Sequence, residues 1–372
     1  MIKITIKNIV VKWIKLLFKP SIIRNLIEKE IKQETEPNKF KFVKLSSSLS
    51  RELNIIPSQT TEGERSFLYH YFRSEWTGVG NVIEIGPFLG GTTRAIAMGM
   101  LDNPRRTNKS KLYTFDRFQD YFDVDDLKQY LLPLMDSGQL NTNDLNELGE
   151  RSKFIEIFKS IHESHSYYEC IEPSEHGVPD RVEDKSINAW MKIPELFITD
   201  AVFIDGCKSW YGTKYFIQII SSSIRPGTVL IFQDFAWFTC FWLPAFIELF
   251  EDFFTLIGNV DNTYVFRLDK FLTSDMVENT FPDTPHSIDL TSLSNLFENQ
   301  IKKAILRNDH YAAIRHTLHK AGALAYTNNL NEAKKTIKLA EQMEFSIEHK
   351  TVIEMAWKSP TYTPDGPIVL GK

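Results

Sequence analysis

The stretch Asn81–Thr93, NVIEIGPFLGGTT, constrains the fold more than any other part of the chain. An apolar run ends in Gly86 and Pro87, and the pair Gly90-Gly91 opens the next segment. The pattern predicts a buried parallel strand over Asn81–Phe88, a tight loop, and a helix over residues 90–101 with Ala95, Ile96, Met98 and Leu101 facing inward. Glycines in such a loop let the backbone approach a ligand closely, and the helix start offers free N–H groups. A P-loop would place a lysine after its second glycine, and a dinucleotide fingerprint would read G-x-G-x-x-G; this loop does neither.

The same alternation continues downstream. Lys111–Phe118, KLYTFDRF, reads as a second strand ending in an acid. Tyr167–Ile171 is read as the third strand and Ala201–Asp205 as the fourth, followed by a helix over Trp210–Ile224. Thr228–Phe232 is a strand, residues 238–257 an aromatic-rich helix, and Thr263–Leu268 a final strand. Strands alternating with helices predict an α/β fold: a Rossmann-like, doubly wound, mostly parallel sheet with helices on both faces. Upstream, Thr61 with Glu64 is a capping box opening a helix through Phe72. Residues 119–195 are acidic and longer than a βαβ crossover needs, so they are read as an insertion or lid.

At 372 residues the chain suggests two domains, or one large domain with appendages. Residues 1–60 form an N-terminal basic helix and linker, 61–270 the core domain, and 271–372 a helical C-terminal region. The opening MIKITIKNIVVKWIKLLFKP carries Lys3, Lys7, Lys12, Lys15 and Lys19 and no acid, with Ile6, Ile9, Val10, Trp13, Ile14, Leu17 and Phe18 near one helical face. Such an amphipathic helix either lies on an anionic membrane surface through residues 1–20, or packs on the chain's own core or a second copy in a homo-oligomer.

Residues 290–357 read as helices with a turn at Thr327-Asn328-Asn329. The stretch AGALAYTNNLNEAKKTIKLAEQ resembles one tetratricopeptide-type hairpin, which cannot bury its own face and must dock on something. The tail from Pro360 is expected to be extended. A net charge of -5 argues against nucleic acid as a partner. The three cysteines, Cys170, Cys207 and Cys240, lack metal-ligand spacing and fit a reducing compartment, and no apolar run reaches ~18 residues. The expectation is a cytoplasmic protein, with a peripheral position at the inner membrane surface left open.

Glu84, Gly86, Gly90, Gly91 and Thr92 together resemble the E-x-G-x-x-x-G-G first motif of class I S-adenosylmethionine-dependent methyltransferases. The resemblance implies that these residues wrap the amino-acid end of the cofactor, with Glu84 serving its positively charged portion directly or through a water. Asp116, ending the second strand, then accepts the ribose hydroxyls; the loop Asn103–Ser110 accounts for its wider spacing from Glu84. A strand-ending Asp is also an ordinary turn residue.

AVFIDGCKSWYGTKYF and RPGTVLIFQDF are similar to the strand-end motifs of the small-molecule and sugar O-methyltransferases within that class. On this resemblance Asp205 and Asp234 are strand-end carboxylates able to hold a divalent cation such as Mg²⁺, and Lys208 is the base of an Asp-x-x-Lys pair. A lysine can act so only if its pKa falls towards 7–8. Cys207 and Phe235, beside the aspartates, are poor ligands for a hard cation. Tyr211 and Trp237, nearest the strand ends, are candidates for an acceptor pocket, whereas His162, His165 and His176 are expected to be solvated.

The resemblance implies an S-adenosylmethionine-dependent O-methyltransferase acting on a small-molecule hydroxyl, a saccharide or glycan intermediate by preference. The alternatives are a non-catalytic cofactor-binding or scaffold protein, and a hydroxylase of related fold.

Overall fold

A computed structural model describes residues 45–119, 123–140, 154–186, 190–194 and 197–370. The amphipathic helix expected over residues 1–20 lies outside the described residues. A seven-stranded sheet runs through the centre: β1 Asn81–Ile85, β2 Leu112–Asp116, β3 Ile171–Glu175, β4 Thr199–Ile204, β5 Val229–Phe232, β6 Phe254–Val260 and β7 Thr263–Leu268. The spatial order is β3-β2-β1-β4-β5-β7-β6. β1 to β5 are parallel, and β7 and β6 add an antiparallel edge. This is the Rossmann-like α/β architecture expected from the alternation.

Strand order reverses at β1: β2 and β3 lie on one side, β4 and β5 on the other. Neighbouring carboxyl ends separate at such a point and leave a crevice. Alternation along the strands divides the core. Ile83, Ile85, Val202, Ile204, Leu230 and Phe232 face one helical layer, whereas Val82, Ala201, Phe203, Val229 and Ile231 face the other.

The helices are α1 Ser47–Asn54, α2 Glu62–His70, α3 Gly91–Leu101, α4 Val124–Asp136, α5 Ile155–His162, α6 Trp210–Ile220, α7 Trp242–Leu249, α8 Ser274–Thr280, α9 Leu290–Leu306, α10 His310–Tyr326, α11 Leu330–Gln342 and α12 Lys350–Lys358. α2 opens on the expected capping box: Glu64 N–H donates to Thr61 Oγ1 at 3.1 Å, and Thr61 N–H donates to Glu64 Oε2 at 2.8 Å. Glu64 also accepts from Thr263 Oγ1 at 2.7 Å, so this cap ties α2 to β7.

One strand expectation and one helix expectation need correction. The third strand is Ile171–Glu175, and Tyr167 lies in a preceding 3-10 turn, Ser166–Cys170. The aromatic stretch 238–257 is not one helix: α7 covers Trp242–Leu249, a 3-10 turn follows, and β6 begins at Phe254. β6 gains its ladder from β7, a non-local pairing that overrides the local apolar run.

The C-terminal helices dock on their own chain. Gln300 Nε2 and Lys303 Nζ of α9 each donate to the buried Glu248 Oε2 of α7 at 2.7 Å. α10 and α11 form a helical hairpin about Thr327–Asn329, and its core takes in Phe238. The tail from Tyr362 forms a short hairpin, β8 Tyr362–Thr363 with β9 Gly366–Pro367. Thr361 Oγ1 donates to the Thr239 carbonyl at 2.8 Å, and Arg181 pairs with Asp365. No described helix is long and apolar enough to cross a membrane.

Candidate active site

Register places the strand ends at one level. Gly86 N–H donates to the Phe115 carbonyl at 3.0 Å, Asp205 N–H to Ile85 at 3.0 Å, and Gln233 N–H to Ile204 at 3.0 Å. Gly86, Asp116, Asp205 and Gln233 therefore stand in a row along the carboxyl edge. An open cleft lies above it. Gly86, Thr92, Asp116, Asp205 and Lys208 all line this cleft, as do Arg117, Gly177, Val178 and Asp180. The last three come from the stretch 119–195.

The glycine loop is held by contacts the sequence does not announce. Gly86 has φ +83°, and a Cβ there would fall 2.7 Å from the Gly206 nitrogen, so glycine lets β1 and β4 close up below the cleft. Gly90 has φ +90° and abuts His162. His162 is fully buried rather than solvated. Its Nε2 donates to the Leu89 carbonyl at 3.1 Å, so its Nδ1 is the acceptor for the Tyr167 hydroxyl at 3.1 Å. Burial holds this imidazole neutral, with its pKa lowered to about 3. His165 is bonded to Arg94 Nη2 at 2.8 Å, and His176 Nδ1 is paired with Ser174 Oγ at 2.8 Å.

Glu84 does not line the cleft. It points into the opposite layer, fully buried, and accepts from the Thr92 and Thr93 hydroxyls at 2.6 Å each. Burial pushes its pKa up to about 7 against the lowering effect of those two hydroxyls. Both carboxylate oxygens are thus occupied, and Glu84 fastens β1 to the first turn of α3. Gly90 and Gly91 likewise shape the turn without lining the cleft; a Cβ on Gly91 would meet Ser58 Cβ at 2.7 Å.

Asp116 is a turn residue that also faces the cleft. It lines the cleft, and its Oδ1 accepts from the Phe118 N–H at 2.9 Å within its own turn. Burial raises its pKa, opposed by the backbone N–H groups of Phe118 in its own turn and Phe88 in the loop after β1. Phe88, Phe118 and Asp234 carry positive φ of 52°, 51° and 60°, one in each loop after β1, β2 and β5. Non-glycine residues in this region concentrate where a site fixes the backbone.

Lys208 is clamped. Its Nζ lies 2.7 Å from Asp205 Oδ1, 2.6 Å from Asp234 Oδ2 and 3.4 Å from Gln233 Oε1. Burial works to lower its pKa, but the two carboxylates outweigh that and hold it well above the ordinary lysine range. This is opposite in sign to the shift that a lysine base requires. The ammonium also fills the gap between the two aspartates. Phe235 is buried against Tyr264 and Phe266, and the nearby thiols of Cys207 and Cys240 are buried. Among the described residues no group of three or more His, Cys, Asp or Glu could hold a metal. The donor set does not fit Mg²⁺, which seeks oxygen ligands in near-octahedral array.

The two acceptor-pocket candidates lie elsewhere. Tyr211 is buried on α6, and among the described residues its hydroxyl has no partner. The Trp237 ring lies 5.8 Å from the Arg315 guanidinium, and its carbonyl accepts from His319 Nε2 at 2.8 Å. Neither is among the described residues lining the cleft.

No family model and no curated protein matches this chain. Among solved structures it is similar to the O-methyltransferase NovP, at 14% identity and a TM-score of 0.36, over 60% of this chain and 81% of that one. It is also similar to CalS11, described as a TDP-rhamnose 3'-O-methyltransferase, at 14% identity and TM-score 0.33, over 61% and 97%. An O-methyltransferase from Bacillus cereus aligns at 13% identity and TM-score 0.33, over 61% and 92%.

Proposed function

We propose that this chain is an S-adenosylmethionine-dependent methyltransferase acting on a hydroxyl of a small molecule. The observation carrying this is that Gly86, Asp116, Asp205 and Lys208 line one cleft at the point where strand order reverses. Asp116 is placed to accept hydroxyls of a ribose, and Gly86 with Thr92 leaves the loop open to the amino-acid end. A saccharide is the preferred acceptor class because the strand-end strings resemble those of sugar-modifying enzymes.

The cofactor, when bound, supplies an electrophilic methyl group. The chain's residues position and charge the acceptor. Asp205 takes the hydroxyl proton, since burial, the first of its causes, raises its pKa despite Lys208 and so makes it a better base. The Lys208 ammonium, hydrogen-bonded to the same carboxylate, steadies negative charge developing on the acceptor oxygen.

Calorimetry with S-adenosylmethionine tests the reading, followed by transfer of labelled methyl to a panel of nucleotide sugars and simple glycosides. Micromolar cofactor binding and label in an acceptor are expected. No binding at high micromolar cofactor would leave a scaffold role as the better account, and iron-dependent turnover would favour a hydroxylase.

A further inference from the structure

We propose that Asp205 and Asp234 form a cation site whose resident cation is the chain's own Lys208 ammonium, so that the site works without a divalent metal. The two carboxylate oxygens stand 2.7 and 2.6 Å from one Nζ, with Gln233 Oε1 at 3.4 Å as a third oxygen. The two carboxylate contacts are at charge-assisted hydrogen-bond distances, and Gln233 is a longer, weaker third contact for the ammonium.

Asp234 is committed to this arrangement. Its backbone sits at φ +60°, and its carboxylate caps no helix, since the next α helix starts at Trp242. The surroundings offer little else to a hard cation. Phe235 turns its ring into the apolar core, and beside Asp205, Lys208, Gln233 and Asp234 the small cavity at the clamp is lined by Ile204, Leu243 and the buried thiols of Cys207 and Cys240. A divalent ion entering here would have to expel an ammonium that already satisfies both carboxylates, and would then find too few oxygens. Removal of Lys208 leaves two facing acids and open volume, which is a weak divalent site.

The inference concerns the clamp alone and stands whether or not the cleft takes S-adenosylmethionine. Its test is Mn²⁺ titration of the full chain, read by the electron paramagnetic resonance of free Mn²⁺. Wild type is expected to leave that signal unchanged to about 1 mM, the upper range of weak oxygen sites. Lys208→Ala is expected to take up one equivalent and to unfold about 5 °C higher when Mn²⁺ is present. The double variant K208A/D234N should lose both effects. One equivalent bound by wild type and lost in D234N would overturn the proposal, as would a folded K208A that takes up none. The wild-type titration requires no variant to fold.

Discussion

Gly90 and His162 leave each other no spare room: a Cβ on Gly90 would fall 2.0 Å from His162 Nε2. The imidazole cannot retreat, because Phe158 lies 4.6 Å away ring to ring and Tyr167 holds its other nitrogen. Gly90→Ala should therefore cost about 3 kcal/mol, combining overpacking with a left-handed backbone. In a His162→Ala background the same change should cost roughly 1–2 kcal/mol less. Denaturant unfolding of the four proteins measures this coupling, and equal costs in both backgrounds would remove the contact as the cause.

Glu84 gives a pH signature. Its folded pKa of about 7 lies above the ordinary glutamate value of 4.5, so the folded state binds the proton more tightly than the unfolded state. Its contribution is fully present below pH 4.5 and is lost as pH rises to 7. Glu84→Gln cannot ionise, so stability of wild type relative to this variant should fall by about 3 kcal/mol between pH 4.5 and 8. Parallel stability curves for the two proteins would contradict it.

The buried histidines act in the opposite direction. Burial lowers His162 and His319 to about 3 each, so the unfolded chain takes up their protons first on acidification. Stability from these groups is lost as pH falls through 6.5, at up to about 1.4 kcal/mol per pH unit for each. His162→Gln should flatten the acid limb of the thermal stability curve by one such slope.

Asp116→Ala should weaken S-adenosylmethionine binding about 100-fold by removing two charge-assisted hydrogen bonds. Calorimetry reads this directly, and circular dichroism should show the fold retained.

Asp205→Asn should lower kcat about 100-fold or more, while cofactor affinity changes little. Wild-type kcat should rise with pH through a carboxylate pKa raised above its usual range, and the variant should lose that limb.

The legible parts of the fold were those punctuated by glycine or by a strand-ending acid. β1, its loop and α3 follow from NVIEIGPFLGGTT, and β4 and β5 from short apolar runs closed by Asp205 and Gln233-Asp234. β3 was misplaced because IEPSE is polar and contains Pro173, which only an edge strand tolerates. His162 was unreadable because its burial depends on α5 returning to Leu89 across a long stretch of chain. The residue types of the site could be found, but Lys208's charge state could not, since it is set by where the Asp234 carboxylate ends up.

The short hairpin at Tyr362–Pro367 bears on the order of events during synthesis. It fastens residues near the strand ends through Thr361 to Thr239 and through Asp365 to Arg181, across more than a hundred residues of intervening chain. Such distant closures form after local ones. A nascent chain released early would thus carry a finished sheet with that flank of its edge still open. A bulky fusion placed directly after residue 370 would press on this seam rather than on neutral surface.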